Sequence, residues 1–466
     1  MMNIDKSKLV LVHSTDQMIF DQPLKTKEIG YYKDSWNRFK KNRASLSAFI
    51  IIMIMLFFVV LGPSMKVYTL PKKDPNEAAR IQYLPPRIPG IEKLGIFDGE
   101  RTISRGKNFL VAMAKSEFGS DVIISGMPDV LLDNDPSNDG IYADKTALEV
   151  TVDFYKYTNF IKSYMPEDYF SIQGTEVQKL AKVTRNFTKA QFDDAVKRNV
   201  IIDLVAIEQS TNPDTGNSET TYIVRLDQFR YSLNQNPEDT YFWFGTNIRG
   251  EDLFTKIWEG ARISLSMAVV ILAINTTIGL LIGSVVGYYG GVLDLLFDRL
   301  VEIISSIPFL SVLTLLTLRY GNALWVIVLA FTATGWLGSY GLGRMQFYRF
   351  KNREYVLAAR TLGASDARIM FKHIFPNTLG LIITAVALSI PSFVFSEASF
   401  SFLGIIKYAN GVTSVGMLIE EGQAMMGQYP HLLIFPSLYI ATLMIAFNLF
   451  GNGLRDAFNP SLRGVE

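Results

Sequence analysis

The chain contains no cysteine. That excludes disulfides and thiol chemistry, so any part outside the cytoplasm must hold itself together by packing. Histidine is nearly as scarce: His13, His373 and His431 lie on separate segments and offer no metal cluster. No G-x-x-x-x-G-K-[ST] phosphate loop is present; where Gly106-Lys107 comes nearest, Asn108 stands in place of the hydroxyl residue. Position suggests no Ser–His–Asp set either. The polypeptide therefore reads as no enzyme, with no cofactor and no metal of its own. Its 45 basic and 44 acidic residues leave a net charge of +1, no surplus for a nucleic-acid partner.

What the chain does have is apolar runs. Of its 466 residues 49% are hydrophobic, yet mean hydropathy is only +0.19, because those runs are averaged with a large polar block. Residues 1–43 are polar and end in basic residues interleaved with Trp36 and Phe39, the pattern of an interfacial helix on the cytoplasmic face. The run 45–62 is long enough to span a bilayer, and the charges before it place the N-terminus inside. Later runs predict spans at about 263–288, 300–318, 323–340, 379–400 and 432–450, giving six in all and both termini inside. In the second of them Gly279, Gly283 and Gly287 fall at four-residue steps, a smooth ridge for close helix contact. Pro308 predicts a kink in the third. Glu397, near the outer end of the fifth, reads as an interfacial carboxylate.

Between the first and second spans the character changes. Residues 66–240 hold no spanning run. Alternation at Leu148, Val150, Val152 and Phe154 predicts a strand. Thr188 and Gln191 form a capping-box pattern, with Phe187 and Phe192 as its hydrophobic staple. Residues 200–207 and 220–226 flank a turn-rich tract and predict a hairpin. This is the pattern of a soluble α+β domain, lying outside because one span precedes it. Asp135, Ser137, Asp139 and Gly140 match the opening of a calcium loop, but Thr146 replaces the closing glutamate, so a solvated acidic turn is the preferred reading.

The stretch 351–377, KNREYVLAARTLGASDARIMFKHIFPN, sits between two apolar runs and is itself basic, which places it inside. It reads as a short helix over 354–362, a turn at Gly363, a second helix capped by Ser365, and a stop at Pro376. The small Ala358–Ala359 face lets another protein approach the backbone.

The spacing Ala358-Ala359-x-x-x-Gly363 with Pro376 beyond it resembles the coupling loop of ABC-importer permeases. The wider string EYVLAARTLGAS…RIMFKHIFPN resembles the C-type subunit of dipeptide/oligopeptide permeases. Leu357 and His373 depart from the broad importer pattern, in which glutamate and isoleucine are common there, and narrow the match to the peptide branch. Gly245, Thr246, Gly250 and Asp252, followed by GARISL with Arg262, resemble the family's outer-mouth motif. EASFSFLG at 397–404 and the tail GNGLRDAFNPSLR are similar too, whereas Val415 stands where the family often has tryptophan.

This resemblance implies a type I ABC-importer permease fold, an all-α membrane protein of six transmembrane helices; the α+β domain inserted between the first two departs from the short loop usual at that place. Its parts would be a cytoplasmic segment 1–43, a first helix 44–65, the insert 66–240, a permease core 241–455 and a cytoplasmic tail 456–466. It implies a multi-pass subunit of the bacterial cytoplasmic membrane, paired with a homologous second permease subunit. It further implies two ATPase subunits carrying ATP and Mg, an extracytoplasmic peptide-binding lipoprotein, and peptide as substrate. Glu354, Ala358, Ala359, Gly363, Ser365, Pro376 and Asn377 would form the ATPase-coupling surface. The competing reading is a membrane sensor, since a soluble outer domain between two spans also fits a receptor. An ion-coupled carrier would want ionisable residues at the bilayer midplane, where the runs have almost none.

Overall fold

The structure, a computed structural model, describes residues 31–65, 81–115, 119–128, 147–164, 171–173, 176–178, 183–211, 218–409 and 411–458. The calcium-loop candidate at 133–140, most of the hairpin tip and residues 459–466 lie outside these.

Helices α1 (Tyr31–Lys41) and α2 (Arg43–Leu61) come first. The central stretch carries α3 (Lys107–Lys115), α4 (Phe154–Asn159), α5 (Lys189–Lys197) and α6 (Gln228–Leu233). Among them run β1 (Glu100–Gly106), β2 (Ile123–Ser125), β3 (Ala147–Asp153), β4 (Ser171–Gln173), β5 (Glu176–Gln178), β6 (Arg185–Phe187), β7 (Ile201–Thr211) and β8 (Ser218–Leu226). The remainder is helical: α7 (Leu253–Tyr289), α8 (Gly291–Ser305), α9 (Phe309–Tyr320), α10 (Leu324–Phe350), α11 (Glu354–Thr361), α12 (Asp366–Arg368), α13 (Phe375–Phe402), α14 (Val415–Met425) and α15 (His431–Phe458).

Among the described residues five helical bodies are long and apolar enough to cross a membrane: 43–64, 253–289, 324–350, 366–402 and 431–458. The expected third span is two helices, α8 and α9, bent by 69° where Pro308 caps α9. Proline removes a backbone donor and disfavours helix in the residue before it, so the sequence signal for a kink becomes a break. The pair still returns the chain across. Gly279, Gly283 and Gly287 of α7 face Trp336, Tyr340 and Arg344 of α10 in rising order, so these two helices run parallel. Leu324 therefore lies about 30 Å from the level of Arg344 and Gly287, and 291–323 must cover that distance, roughly one hydrocarbon thickness.

The helices pack as amphipathic stripes of the membrane kind. On α2 the buried positions Ser45, Ala48, Ile52, Met55 and Val59 recur at helical spacing, while Ile50, Met53, Ile54, Phe57 and Val60 stay exposed on the other side, as a lipid-facing surface requires. Asn42 caps this helix, its Oδ1 accepting from the Ser45 amide at 3.2 Å. The expected interfacial helix is α1: Phe39 is buried against Phe450 of α15, ring centroids 5.5 Å apart, and Trp36 is exposed.

The stretch between α2 and α7 has its own hydrophobic core, built from Leu110, Met113, Val150, Val152, Phe154, Tyr155, Phe160 and Phe229. The predicted strand is β3, central in the antiparallel order β1-β3-β2. The predicted hairpin is β7–β8, in a second antiparallel sheet ordered β6-β8-β7. The Thr188–Gln191 capping box is present at the start of α5, and Phe187 and Phe192 share one apolar cluster.

Candidate functional site

The loop 351–377 forms as predicted up to its last element. α11 ends in a paired-bond turn: the Gly363 amide donates to the Arg360 carbonyl and the Ala364 amide to the Ala359 carbonyl, both at 3.0 Å. Gly363 closes it at φ +81°, where a side chain strains the backbone. No heavy atom lies within 4 Å of where a Cβ would stand on Gly363, so the turn's far side is open. Ser365 caps α12, accepting from the Arg368 amide at 3.4 Å.

Pro376 does not stop the helix. Residues 369–374 form a π-helical turn that runs straight into α13, with Pro376 in its first turn. The wide turn gives the ring room and asks no amide of it. The loop's second half and the fifth span are thus one helical body, Asp366–Phe402.

Underneath, Val356, Ile369, Met370 and Ile374 are buried with Tyr288 of α7 and Phe347 of α10. Tyr288 holds both halves of the loop. Its hydroxyl donates to Asp366 Oδ1 at 2.6 Å and accepts from an Arg360 guanidinium nitrogen at 3.0 Å, while Lys351 Nζ donates to its carbonyl at 3.3 Å. Asn377 donates to the His373 carbonyl at 2.7 Å and to the Tyr355 hydroxyl at 3.4 Å, so it braces the loop from within. The opposite face carries Glu354, Tyr355, Leu357, Ala358 and Leu362, all exposed, with Ala359 half-buried and Leu362 88% exposed at the tip.

The glycine ridge is real packing. A Cβ on Gly279 would strike the Trp336 carbonyl, on Gly283 the Tyr340 carbonyl and on Gly287 the Arg344 carbonyl. Backbone meets backbone along the ridge. Arg344 is fixed in turn by a bidentate pair with Asp294 of α8, at 2.5 and 3.0 Å.

The residues 245–252, expected at an outer mouth, form a tightly bonded block between the β-containing stretch and α7. Gly245 (φ +78°) lies against the Leu84 carbonyl and the His431 ring. Thr246 is fully buried; its hydroxyl donates to the Ile81 carbonyl at 2.7 Å and accepts from the Leu84 amide at 2.9 Å. Gly250 (φ +74°) turns the chain, and its amide donates to the Asn247 carbonyl at 2.9 Å. Asp252 caps α7, accepting from the amides of Phe254 and Thr255. Arg262 reaches back to the carbonyls of Val59 and Val60 at the C-terminal end of α2. Arg249 pairs with Glu421 of α14 at 2.7 Å; burial raises the Glu421 carboxyl above its ordinary range and the arginine opposes that rise.

Glu397 does not face the surface of the chain. It is fully buried, accepting from Ser264 of α7 at 2.9 Å, Ser401 at 3.1 Å and Tyr408 at 3.0 Å. The Tyr408 phenol is pushed up by burial and by Glu397, so it stays a donor. Sequence reading missed these partners and Tyr288; a tyrosine pair closing an apolar run was the available signal for Tyr288. Among the described residues no group of three His, Asp or Glu side chains is placed to hold a metal ion.

Comparison with known proteins decides what this arrangement belongs to. Residues 279–464 match the model for the binding-protein-dependent transport system inner membrane component, and 30–86 match that for the N-terminal TM domain of oligopeptide transport permease C. The dipeptide transport system permease protein DppC of Bacillus subtilis is 40% identical over 237 residues, 50% of this chain and 74% of the relative. The chain belongs to the dipeptide/oligopeptide ABC-transporter permease family. The oligopeptide permease OppC of the same organism is 39% identical over 49% of this chain and 74% of its own, and OppC of Haemophilus influenzae 39% over 48% and 71%. Because one aligned segment covers half of this chain and three-quarters of the Bacillus dipeptide permease, this permease is the longer of the two. The two family models leave 87–278 unmatched, a stretch that holds β1 to β8. A membrane sensor finds no support in either comparison.

Proposed function

We propose that this permease subunit forms the translocation path of an ATP-driven importer of dipeptides or oligopeptides together with a second, homologous permease subunit. Loop 351–377 docks into a separate ATPase subunit, two of which carry the ATP and Mg. A peptide-binding lipoprotein delivers substrate at the opposite face of the bacterial cytoplasmic membrane, and both termini lie inside. The observation that carries the reading is the loop: an exposed Leu362–Ala358 tip, rigidly held by Tyr288, at the end of an unbroken helical body that crosses the membrane.

On this reading ATP-driven closure of the ATPases pushes the tips, and the 366–402 body carries the displacement to the outer side. Glu354, Ala358, Ala359, Gly363 and Ser365 make the docking face, while Pro376 and Asn377 fix the body's inner end. The glycine ridge makes α7 and α10 move as one. The insert is a soluble extracytoplasmic unit that orients the binding protein over the mouth. Its placement supports this, since its core residues Ile81 and Leu84 are bonded directly to Thr246 at the start of α7. The test is purification from native membranes: ATPase subunits should come with the chain, and the reconstituted complex should take up labelled dipeptide only with ATP and binding protein. Uptake driven instead by an ion gradient, without ATP, overturns the proposal.

A further inference from the structure

Glu397 is a fully buried carboxylate on which separate parts of the outer half converge. Its hydrogen-bond partners come from α7 (Ser264), from its own helix α13 (Ser401) and from the loop after it (Tyr408), and Ser414 lies beside it. Each of these is a hydroxyl. Ser414 is also the cap of α14, its Oγ accepting from the Met417 amide at 3.3 Å, so the carboxylate sits at the positive end of an 11-residue helix. The backbones close in around it. A Cβ on Gly260 of α7 would come within 2.9 Å of the Val415 amide nitrogen, and one on Gly416 of α14 within 2.6 Å of Ala398 Cα. Three helices meet at this carboxylate with no room between them.

The inner end of α13 is continuous with the coupling loop through the π turn, and the body Asp366–Phe402 is unbroken. Glu397 therefore lies about 30 Å up the same helical body from the loop's end at Asn377, six residues beyond Pro391. The geometry points to Glu397 as a positioning residue for transport: it fastens the outer end of that rod to α7 and to the cap of α14, so that displacement of loop 351–377 moves the outer mouth. A rod not fastened there would still be pushed by the ATPases, but would slide past α14 without opening or closing the path. This inference rests on the proposed ATP-driven transport.

A merely structural role would lower the amount of folded protein, leaving transport per ATP intact in what remains. The discriminating readout is dipeptide taken up per ATP hydrolysed, measured on purified, reconstituted complex of equal ATPase content. Glu397→Ala is expected to keep basal ATP hydrolysis, measured without binding protein, within twofold of wild type and to lower uptake per ATP at least tenfold. Tyr408→Phe, outside the spans and removing one donor, is expected to lower the same ratio about threefold; it carries the test if Glu397→Ala does not assemble. In the double variant the Tyr408→Phe effect should vanish, because its acceptor is gone. Wild-type uptake per ATP in either single variant, or uptake and hydrolysis falling in proportion, overturns the inference. Absence of ATP-driven uptake in the wild-type complex would instead count against the transport reading itself.

Discussion

Tyr288 and Asp366 stand 78 residues apart in the chain, and the phenol of the first donates a 2.6 Å hydrogen bond to the carboxylate of the second. That bond ties the C-terminal end of α7 to the start of the helical body Asp366–Phe402. A hydrogen bond to a charged group contributes about 1.5–3 kcal/mol, enough to decide whether the loop moves with α7. Tyr288→Phe should leave membrane insertion intact and lower uptake per ATP several-fold. Unchanged coupling in that variant would show that apolar packing of Val356 and Ile369 alone fixes the loop.

At Gly363 the structure separates two causes that the sequence leaves joined. A side chain meets no atom of this chain there, but the backbone is left-handed. A β-branched residue in that conformation costs of order 1–3 kcal/mol and would reshape the tip. Gly363→Val is expected to abolish most ATP-driven uptake with normal amounts of protein in the membrane. Unchanged uptake would refute the loop's assignment. Asn tolerates the left-handed region, so Gly363→Asn should retain more activity than Val unless the docking partner itself needs the space.

Along the ridge, Gly283 touches the Tyr340 carbonyl, whereas Gly338 has nothing within 4 Å of its Cβ position. Gly283→Ala should therefore destabilise the purified protein by about 1–3 kcal/mol through overpacking, read as an earlier thermal transition in detergent. Gly338→Ala should be neutral or stabilising. Equal behaviour of the two would mean that α7 and α10 are not held backbone to backbone.

The ends of the insert lie side by side, the Arg87 amide donating to the Phe242 carbonyl at 2.8 Å. A short Gly/Ser linker in place of residues 90–236 can therefore close the gap. Such a variant should assemble with its partners and need more binding protein for half-maximal uptake. An unchanged concentration dependence would leave the insert a cover over the outer surface.

The spans, the strand at β3, the β7–β8 hairpin and the Thr188 cap were legible in the sequence because each is set by local periodicity or by one side chain and its near neighbours. The coupling turn was legible for the same reason, since Gly363 and Ser365 act within a few residues. What the sequence hid is long-range or depends on context. Glu397 finds Ser264 a distance of 133 residues away, which no local pattern encodes. Pro376 reads as a stop in any local rule, and only the π turn before it lets the helix continue. The 69° break at Pro308 goes further than the expected kink, since proline ends one helix and caps the next instead of only bending a continuous one.

The central claim is that the Leu362 tip sits in a pocket of an ATPase subunit. The most direct measurement places the photo-crosslinker p-benzoylphenylalanine at position 362 in cells and identifies what it captures on illumination. The expected product is a single adduct with the ATPase subunit, absent when the same group replaces Ile303, a residue 68% exposed on α8. An assembled, transport-competent complex in which position 362 captures lipid or nothing, while other sites reach the ATPase, would contradict the account.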